Sequence, residues 1–456
     1  MDQMVEENKQ ENTTNLTHGS VSKRLILFAL PFLLSSFLQT FYGMADLYVI
    51  GLYNSSASTA AVSIGSQIMH MLTVMIIGLA MGATVHIGRA VGAGDRKDAA
   101  GTVGTAIVFF LGLAVIASVL LYTQADTIAH IMMTPEEAIA DTVTYLKICF
   151  LGLIFIMAYN VFSSIFRGAG DSSSPMVFVG IACVINVILD FLLVGGFHMG
   201  AAGAAYATVC GQAVSSLIAG IFLMKKNLGF KIHREDIGIR RERLAKILQV
   251  GVPISMQDGM IQIAFIVITV IANRRGLTAS TAVGIVEKII SFLFMVPSAF
   301  LSALSTVTAQ NMGAGKPERA RTSLYLALCI TVGFGLICFL YNQFLPQTLV
   351  GLFTKDSEVL TAGCQYLRAY SADCAIAAVH FCFSGYFCGD QKSILSFIHN
   401  ISSVLLVRVP GAYLASLYFP DTLFPMGMAA PMGSALSILI CVCFYCYILK
   451  KEKKNT

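Results

Sequence analysis

Apolar stretches of about twenty residues recur along the whole chain of 456 residues. A helix of about twenty apolar residues crosses the roughly 30 Å hydrocarbon core of a bilayer, whereas an open strand leaves its backbone unsatisfied there. We therefore predict an all-α integral membrane protein with twelve transmembrane helices. The predicted spans are 25–52, 59–83, 100–123, 145–166, 175–196, 201–224, 248–273, 279–307, 322–345, 363–387, 394–418 and 427–449.

Charged residues make up only 12% of the chain, about half their share in an average soluble domain. This is too little charge to solvate the surface of a soluble protein of such length, which excludes a soluble enzyme, a nucleic-acid-binding protein and a disordered protein. The sequence has no GxxxxGK[ST] loop to hold a nucleotide phosphate. We therefore expect no nucleotide or nucleic-acid partner, no cofactor, no metal site and no catalytic residues.

Lysine and arginine are concentrated in alternate loops. If the N-terminus is cytoplasmic, most of the 30 lysines and arginines lie on the cytoplasmic side, in agreement with the positive-inside rule. The loop after the third span is acidic instead, with Asp126, Glu136, Glu137 and Asp141. We predict a multi-pass protein of the bacterial plasma (inner) membrane with both termini in the cytoplasm.

The longest charged loop divides the chain into two halves that resemble each other. "VGAGDRKDA" at 91–99 matches "MGAGKPERA" at 312–320, and "GDSSS" at 170–174 matches "GDQKS" at 389–393. Each half has an even number of spans, so both copies enter the membrane from the same side and are parallel repeats related by an axis along the membrane normal. We predict two six-helix bundles that work by alternating access. The predicted segments are a disordered cytoplasmic tail 1–21, an N-terminal lobe 22–224, a basic cytoplasmic linker 225–247, a C-terminal lobe 248–449 and a basic cytoplasmic tail 450–456.

Two acids lie inside spans of the first half, where a charged side chain costs about 3 kcal/mol. Asp46 and Asp190 lie at similar depths, and Asn186 precedes Asp190 by one helical turn. Paired acids at one depth indicate a shared proton or cation, and the alternative is that each acid is a structural group bonded to Ser, Thr or backbone. Pro31 removes a helix hydrogen bond upstream of Asp46, and is either a hinge or the first-turn proline of a long helix.

The second half carries more ionisable residues in or near its spans. Asp258, Glu287, Asp373 and Arg408 either belong to a second-half pathway or anchor helix interfaces. His380 stands alone on an apolar face, which is typical of a core histidine rather than of a proton relay. The role of this group stays open at the level of the sequence.

Several segments, taken in order over the twelve spans, resemble the multidrug and toxic compound extrusion (MATE) transporters and among them the DinF-like branch. The resemblance covers residues 22–449. Its segments are "MADLYVIG" at 44–51, "GAG" at 92–94 and 313–315, "FRGAGDSSSP" at 166–175, "NVILD" at 186–190, "GAAGAAYAT" at 200–208, "FLSALSTVTAQNMGAGKPERAR" at 300–321 and "RVP" at 408–410.

The resemblance implies a secondary active antiporter that exports amphipathic, cationic drugs or metabolites in exchange for H⁺ or Na⁺. In DinF-like members the first-half acids carry the coupling ion, and the matching residues here are Asp46 and Asp190. Their family neighbours match Tyr42, Asn160, Ser163, Asn186 and Thr208, with Ser163 standing where relatives often have Asn. The acid that the NorM-like branch has in helix seven falls near Ile261 here, so that cation site looks absent. We favour H⁺ over Na⁺ and expect a monomer in the lipid bilayer.

Two other functions are weighed against export. A flippase for lipids or polysaccharide precursors from the same superfamily would also have paired bundles, but such proteins usually have more spans and a strongly cationic cavity. Arg408 and Lys288 are the cations well inside the second half. A membrane scaffold or sensor without transport is the third hypothesis, and it leaves the proline, the paired acids and the duplication unexplained.

Overall fold

The computed structural model describes residues 15–455, and helices account for nearly all of this range, which contains no strand. Ten continuous helices and two bent helix pairs are long and apolar enough to cross a membrane. The predicted all-α fold of twelve transmembrane helices is thereby confirmed. The spans are α1 (Val21–Tyr53), α2 (Ser56–Gly92), α3 (Arg96–Ile131), α4 (Glu136–Leu151 with Leu153–Gly168), α5 (Ser173–Gly196), α6 (Gly200–Lys225), α7 (Arg241–Asn273), α8 (Leu277–Gly313), α9 (Pro317–Phe344), α10 (Ser357–Ser371 with Asp373–Gly389), α11 (Ser393–Tyr418) and α12 (Phe424–Glu452).

Large aliphatic side chains remain exposed along the outer faces of these helices. Ile188 is 60% exposed, Ile337 68% and Leu406 69%. Soluble monomers rarely expose wide apolar surfaces of this kind. These faces therefore fit a surrounding of lipid chains.

Two spans are bent at matching positions of the repeat. α4 bends by 46° at Gly152, and α10 bends by 41° at Ala372. A Cβ on Gly152 would lie 2.8 Å from Cγ1 of Val209 in α6, so only glycine lets the bent span approach α6 this closely. The two bends are separated by 220 positions, in agreement with the spacing of the repeated motifs. The duplication therefore includes the helix breaks as well as the motifs.

Two further spans contain π-helical segments. α5 ends in Phe191–Gly196, directly after Asp190, and α11 contains Val404–Arg408. Single π turns inside α-helices are uncommon and are often found at functional sites. Each of these segments lies beside an ionisable residue of its span.

Packing divides the chain into two compact units. Unit 1 contains residues 26–255 and 309–315 together with the described residues of the range 1–19, and unit 2 contains residues 20–25, 256–308 and those from 316 onward. Unit 1 thus includes the first part of α7 and the end of α8.

The two copies of the GAG motif meet inside unit 1. A Cβ on Gly92 would lie 2.7 Å from the carbonyl carbon of Gln310, and a Cβ on Gly313 would lie 2.9 Å from the carbonyl carbon of Arg89. These four residues form two matching pairs of the repeat, so the contact is reciprocal. The helices then end in turns where Gly94 and Gly315 adopt φ of 74° and 68°, a left-handed conformation that favours glycine.

The linker between the halves packs against the start of α3. α6 ends at Lys225 and α7 begins at Arg241, six residues before the end of the predicted linker 225–247. The Thr105 hydroxyl donates to the Gly238 carbonyl over 3.0 Å, and Arg243 Nε donates to Asp98 Oδ1 over 2.9 Å. The charged start of α7 is helical, and Arg243 joins it to α3.

Residues 1–14 of the predicted disordered tail 1–21, and Thr456 of the predicted basic tail, lie outside the described residues. The described end of the first tail is packed: Leu16 is 2% exposed, and its N–H donates to Gln310 Oε1 over 3.3 Å. Helix α1 then begins at Val21. Leu16, within the predicted tail, is therefore packed against unit 1, and the last residue of that predicted tail is the first residue of α1.

Glycines also bring helices of unit 2 together. A Cβ on Gly427 in α12 would lie 2.8 Å from Cβ of Ala369 in α10, and one on Gly385 would lie 2.6 Å from the Leu301 carbonyl oxygen in α8. Close approach over small residues is the usual way in which membrane helices associate. It places the polar residues of α8, α10, α11 and α12 within reach of one another.

Candidate ion-coupling site

The two first-half acids face each other inside unit 1. Asp46 of α1 is 4% exposed and Asp190 of α5 is fully buried, and their carboxyl groups lie close enough to interact electrostatically. Asp46 Oδ1 and both Asp190 oxygens have no hydrogen-bond donor among the described residues. An ionised carboxylate can only accept hydrogen bonds. A hydrogen bond between these two groups therefore requires that one of them carries a proton.

Side chains of α5 and α6 surround the acid pair. The Thr208 hydroxyl donates to Asp46 Oδ2 over 3.2 Å, and Asn186 Nδ2 donates to the Thr208 hydroxyl over 3.4 Å. Asn186 also lies beside Asp46, while its own Oδ1 lacks a donor in the described structure. The site thus combines two carboxyls, one amide oxygen and one hydroxyl, which is a set of oxygen ligands suited to a proton or a small hard cation.

A tyrosine and a glutamine extend this site by one helical turn. Tyr42 precedes Asp46 by four residues on α1, and Gln212 follows Thr208 by four residues on α6, where its Nε2 donates to the Tyr42 hydroxyl over 3.5 Å. Both residues line a small cavity together with Asn186 and Thr208. Sequence reasoning missed Gln212, although its spacing from Thr208 places it on the same face of α6.

Small residues let α5 and α6 approach closely enough to form the site. A Cβ on Gly211 would lie 3.0 Å from the Ala182 carbonyl oxygen, and one on Gly203 would lie 3.2 Å from the Leu193 carbonyl carbon. The second contact falls in the π-helical segment that follows Asp190. The run "GAAGAAYAT" therefore supplies the backbone proximity as well as Thr208.

Five of the predicted first-half residues come together, namely Tyr42, Asp46, Asn186, Asp190 and Thr208. The other two have different surroundings. Asn160 Nδ2 donates to the Ile156 carbonyl of its own helix over 2.8 Å and lines another small cavity. The Ser163 hydroxyl is buried with no hydrogen-bond partner in the described part of the chain.

Pro31 lies in the body of α1 and not in its first turn. The helix begins ten residues earlier, at Val21, and continues to Tyr53, so the first-turn interpretation is wrong. The Pro31 carbonyl accepts a hydrogen bond from the Ser35 hydroxyl over 2.8 Å. A proline in the middle of a helix leaves the carbonyl one turn earlier without its N–H partner, which is what a hinge needs.

The second-half residues divide into a cluster and a separate acid. Glu287 and Asp373 each interact electrostatically with Arg408 in unit 2. Asp258 lies elsewhere in this unit, beside Gln257. Arg408 donates to the Tyr370 hydroxyl and lies 4.8 Å from the centre of the Phe265 ring.

The duplicated twelve-helix fold with ionisable groups inside its bundles defines a multi-span membrane transporter. The MatE family model matches residues 31–192 and again residues 253–414, once in each half. The chain therefore belongs to the MATE family of multidrug efflux transporters. Two matches to one family model also confirm the parallel duplication that the motifs predict.

Curated relatives resemble the chain over most of its length. The probable multidrug resistance protein YpnP of Bacillus subtilis (strain 168) is 26% identical over 434 residues, which are 95% of this chain and 96% of the relative. The multidrug export protein MepA of Staphylococcus aureus (strain N315) is 23% identical over 377 residues, which are 83% of each chain. These bacterial relatives and the many spans support a location in a bacterial inner membrane.

Solved structures share the fold. A crystal structure of MATE in the straight conformation has a TM-score of 0.91 at 22% identity, and the match covers 97% of this chain and 99% of that one. A MOP superfamily transporter from Pyrococcus furiosus has the same TM-score and identity, with 97% and 98% covered. At this identity the likeness shows the two-bundle fold and nothing about the transported compound.

Proposed function

We propose that this protein is a secondary active antiporter that exports amphipathic, cationic small molecules in exchange for protons by alternating access. The observation that carries the proposal is the buried pair Asp46 and Asp190, whose carboxyls face each other while three of their four oxygens lack a donor among the described residues. Two ionised carboxylates at this range repel each other strongly in a medium of low dielectric. The pair therefore takes up one positive charge, and releases it when the pocket opens to the other side.

The identity of that charge is proposed as H⁺, and Na⁺ is the second candidate. A proton satisfies one oxygen of each carboxyl and restores a hydrogen bond between them. The Asn186 Oδ1 atom, which also lacks a donor in the described structure, is the observation that favours Na⁺, because a cation would recruit it together with the Thr208 hydroxyl. Export driven by H⁺ requires a pH gradient and export driven by Na⁺ requires a Na⁺ gradient, so an experiment can distinguish the two ions.

The test is export of a fluorescent cation from proteoliposomes under an imposed pH gradient and, separately, under an imposed Na⁺ gradient. Asp46→Asn and Asp190→Asn should each abolish gradient-driven export, whereas the control Asp126→Asn should retain it, because the Asp126 side chain is 64% exposed and pairs with Lys147 at the surface. Export that survives Asp46→Asn would refute the coupling role of the pair. Export driven by Na⁺ alone would replace the proton by sodium, and transport under neither gradient would contradict antiport.

The orientation and the assembly state belong to the same proposal. We place both termini, and the linker with its cluster of Lys and Arg, in the cytoplasm, and we propose that the monomer transports. A fluorescent protein fused after residue 456 should fluoresce, since it folds in the cytoplasm, whereas an alkaline phosphatase fusion at the same point should be inactive. Reconstitution at one copy per vesicle should leave the export rate per protein unchanged.

A further inference from the structure

The linker between the two halves lies against two glycines of α3 that are one helical turn apart. A Cβ on Gly104 would lie 2.6 Å from the Asp236 carbonyl carbon and 3.0 Å from Cα of Ile237, and one on Gly101 would lie 2.3 Å from Cζ of Arg243. The atoms that meet Gly104 are backbone, so glycine is the residue that permits this approach. The linker is therefore seated on α3 and does not project freely from the bundle.

Two hydrogen bonds fasten the linker on both sides of Ile239. The Gly238 carbonyl accepts from the Thr105 hydroxyl over 3.0 Å, and the Arg240 N–H donates to the Thr105 oxygen over 3.4 Å. The side chains between these bonds are not covered, since Ile237 is 55% exposed and Ile239 is 56% exposed. The backbone of this segment thus faces α3, while two isoleucine side chains lie on the surface.

The length of α3 shows at which depth this segment lies. At 1.5 Å per residue, its 36 residues extend over about 54 Å, whereas the hydrocarbon core of a bilayer is about 30 Å thick. An equal overhang at the two ends is then about 12 Å. Thr105 follows the start of α3 at Arg96 by nine residues, or about 14 Å. The segment bound to Thr105 therefore lies at the boundary between the hydrocarbon and the headgroups.

The surface around the two isoleucines is positively charged. The ion pairs of the linker in the described chain use other residues, and four exposed cations have none, namely Lys231, Arg234, Arg240 and Arg241. Glu235 and Glu242 are the exposed acids of the same stretch. Four positive charges against two negative ones leave a net charge of +2 beside the isoleucines.

Exposed isoleucines among arginines at this depth are chemically complementary to an anionic lipid. Apolar side chains of an interfacial segment are stabilised among the acyl chains just below the headgroups. Arginine donates several parallel N–H groups to phosphate oxygens, and cations close to an anionic bilayer surface are attracted to it. A soluble partner, by contrast, would have to reach this segment through the headgroup layer.

We propose that residues 236–241 of the linker form a binding site for anionic phospholipids, in which Ile237 and Ile239 enter the acyl-chain region and Arg240 and Arg241 bind the headgroup phosphates. The inference is independent of the proposed antiport, because it concerns the surface of the linker and not the ion site. It also goes beyond the orientation, since the positive-inside rule gives the side of the membrane but assigns no lipid contact.

The contact is tested by fluorescence, because the chain contains no tryptophan. Ile239→Trp introduces a single reporter, and the purified full-length variant is reconstituted in equal parts of phosphatidylglycerol and phosphatidylcholine. In one preparation the phosphatidylglycerol carries bromine on its acyl chains, and in the other the phosphatidylcholine does. Bromine quenches tryptophan on contact, so we expect stronger quenching in the first preparation, where the anionic lipid is the quencher.

Ile337→Trp in α9 is the matched control. Ile337 is 68% exposed, and the surrounding stretch 322–354 contains no lysine or arginine. Lipid should therefore reach this position without regard to its charge, and the two preparations should quench its tryptophan equally. Quenching of the control by both lipids also shows that the reconstituted protein is embedded in the bilayer.

The charges are tested by Arg240→Gln with Arg241→Gln in the Ile239→Trp background. Each arginine near an anionic surface contributes about a factor of five in binding, so the preference for phosphatidylglycerol over phosphatidylcholine should fall at least fivefold. The control Arg274→Gln with Lys355→Gln removes two exposed charges from other loops and should leave this preference unchanged. Equal melting temperatures of the two double variants would show that neither change has disturbed the fold.

Three results would overturn the site. Absence of quenching by either lipid at position 239 would place the segment in water, where a soluble partner could reach it. Equal quenching by the two lipids would show contact with the bilayer but no selection of anionic lipid. A preference for phosphatidylglycerol that survives the loss of Arg240 and Arg241 would show that these arginines do not bind the headgroups.

Discussion

The reciprocal contact between the two GAG motifs makes a strong prediction about stability. Gly92→Ala would place a Cβ 2.7 Å from the carbonyl carbon and 2.8 Å from Cα of Gln310, whereas carbon atoms pack at about 3.5–4.0 Å. The obstructing atoms are backbone, so no side-chain rotation relieves the overlap. The helix ends must therefore separate by about 1 Å.

The cost follows from two opposing effects. Forcing an extra methyl group into a packed contact costs about 1–3 kcal/mol, while alanine is intrinsically more favourable than glycine in a helix by about 1 kcal/mol. The net destabilisation for Gly92→Ala is thus up to about 2 kcal/mol. Gly313→Ala should cost about the same, because its Cβ would meet the Arg89 backbone in the matching position.

The assay is thermal unfolding of the purified protein, with Gly112→Ala as control. Gly112 has no atom within 4 Å of the added Cβ, so alanine there should leave the melting temperature unchanged or raise it slightly. Gly92→Ala should melt below both. The double variant Gly92→Ala with Gly313→Ala should lose less than the sum of the single losses, since separation of the helices for one methyl group also accommodates the other. Strict additivity, or a Gly92→Ala protein as stable as Gly112→Ala, would refute the reciprocal contact.

Two further predictions concern unit 1. Thr208→Val keeps the shape of the side chain but removes the hydroxyl that donates to Asp46, which should weaken ion binding by about 1 kcal/mol. The half-maximal ion concentration for export should then rise about fivefold, whereas Thr208→Ser should retain the wild-type value. Equal shifts in both variants would contradict the role of the hydroxyl. Asp98→Asn breaks the ion pair with Arg243, in which both side chains are about one quarter exposed. The loss in unfolding free energy should therefore stay below about 1 kcal/mol and disappear at high salt. A larger loss in thermal unfolding that does not depend on salt would show that the contact between linker and α3 matters more than the ion pair.

The spans were predictable because hydrophobicity and length are enough to identify them. Twenty apolar residues have one stable solution in lipid, and the repeated motifs show the duplication directly. The breaks inside the spans were not predictable in this way, because hydropathy is the same for a straight helix and for one that bends at Gly152 or Ala372. Those bends depend on contacts with other helices, such as that of Gly152 with Val209.

The first-half site was partly predictable for a similar reason. Asp46 and Asp190 stand out because a carboxyl inside a span is rare, and Asn186 follows from its spacing. Gln212 and the buried neutral side chains of unit 2 do not stand out, since Ser, Asn, Gln and His occur singly in many helix interfaces. Their meaning comes from partners far along the chain, as in the bond between Ser396 and Gln257, which are 139 residues apart.

The duplication has kept the mechanics of the two halves and changed their charges. Both halves retain a span bent at the same position and a span with a π-helical segment beside an ionisable residue, but that residue is Asp190 in one half and Arg408 in the other. Arg408 lies one to four residues before the position that matches Asp190 in the repeat. No cation among the described residues lies beside the acid pair of unit 1, whereas both acids of unit 2 interact with the Arg408 guanidinium. Under the antiport proposed above, the acid pair of the first half therefore binds the coupling ion with the larger electrostatic driving force.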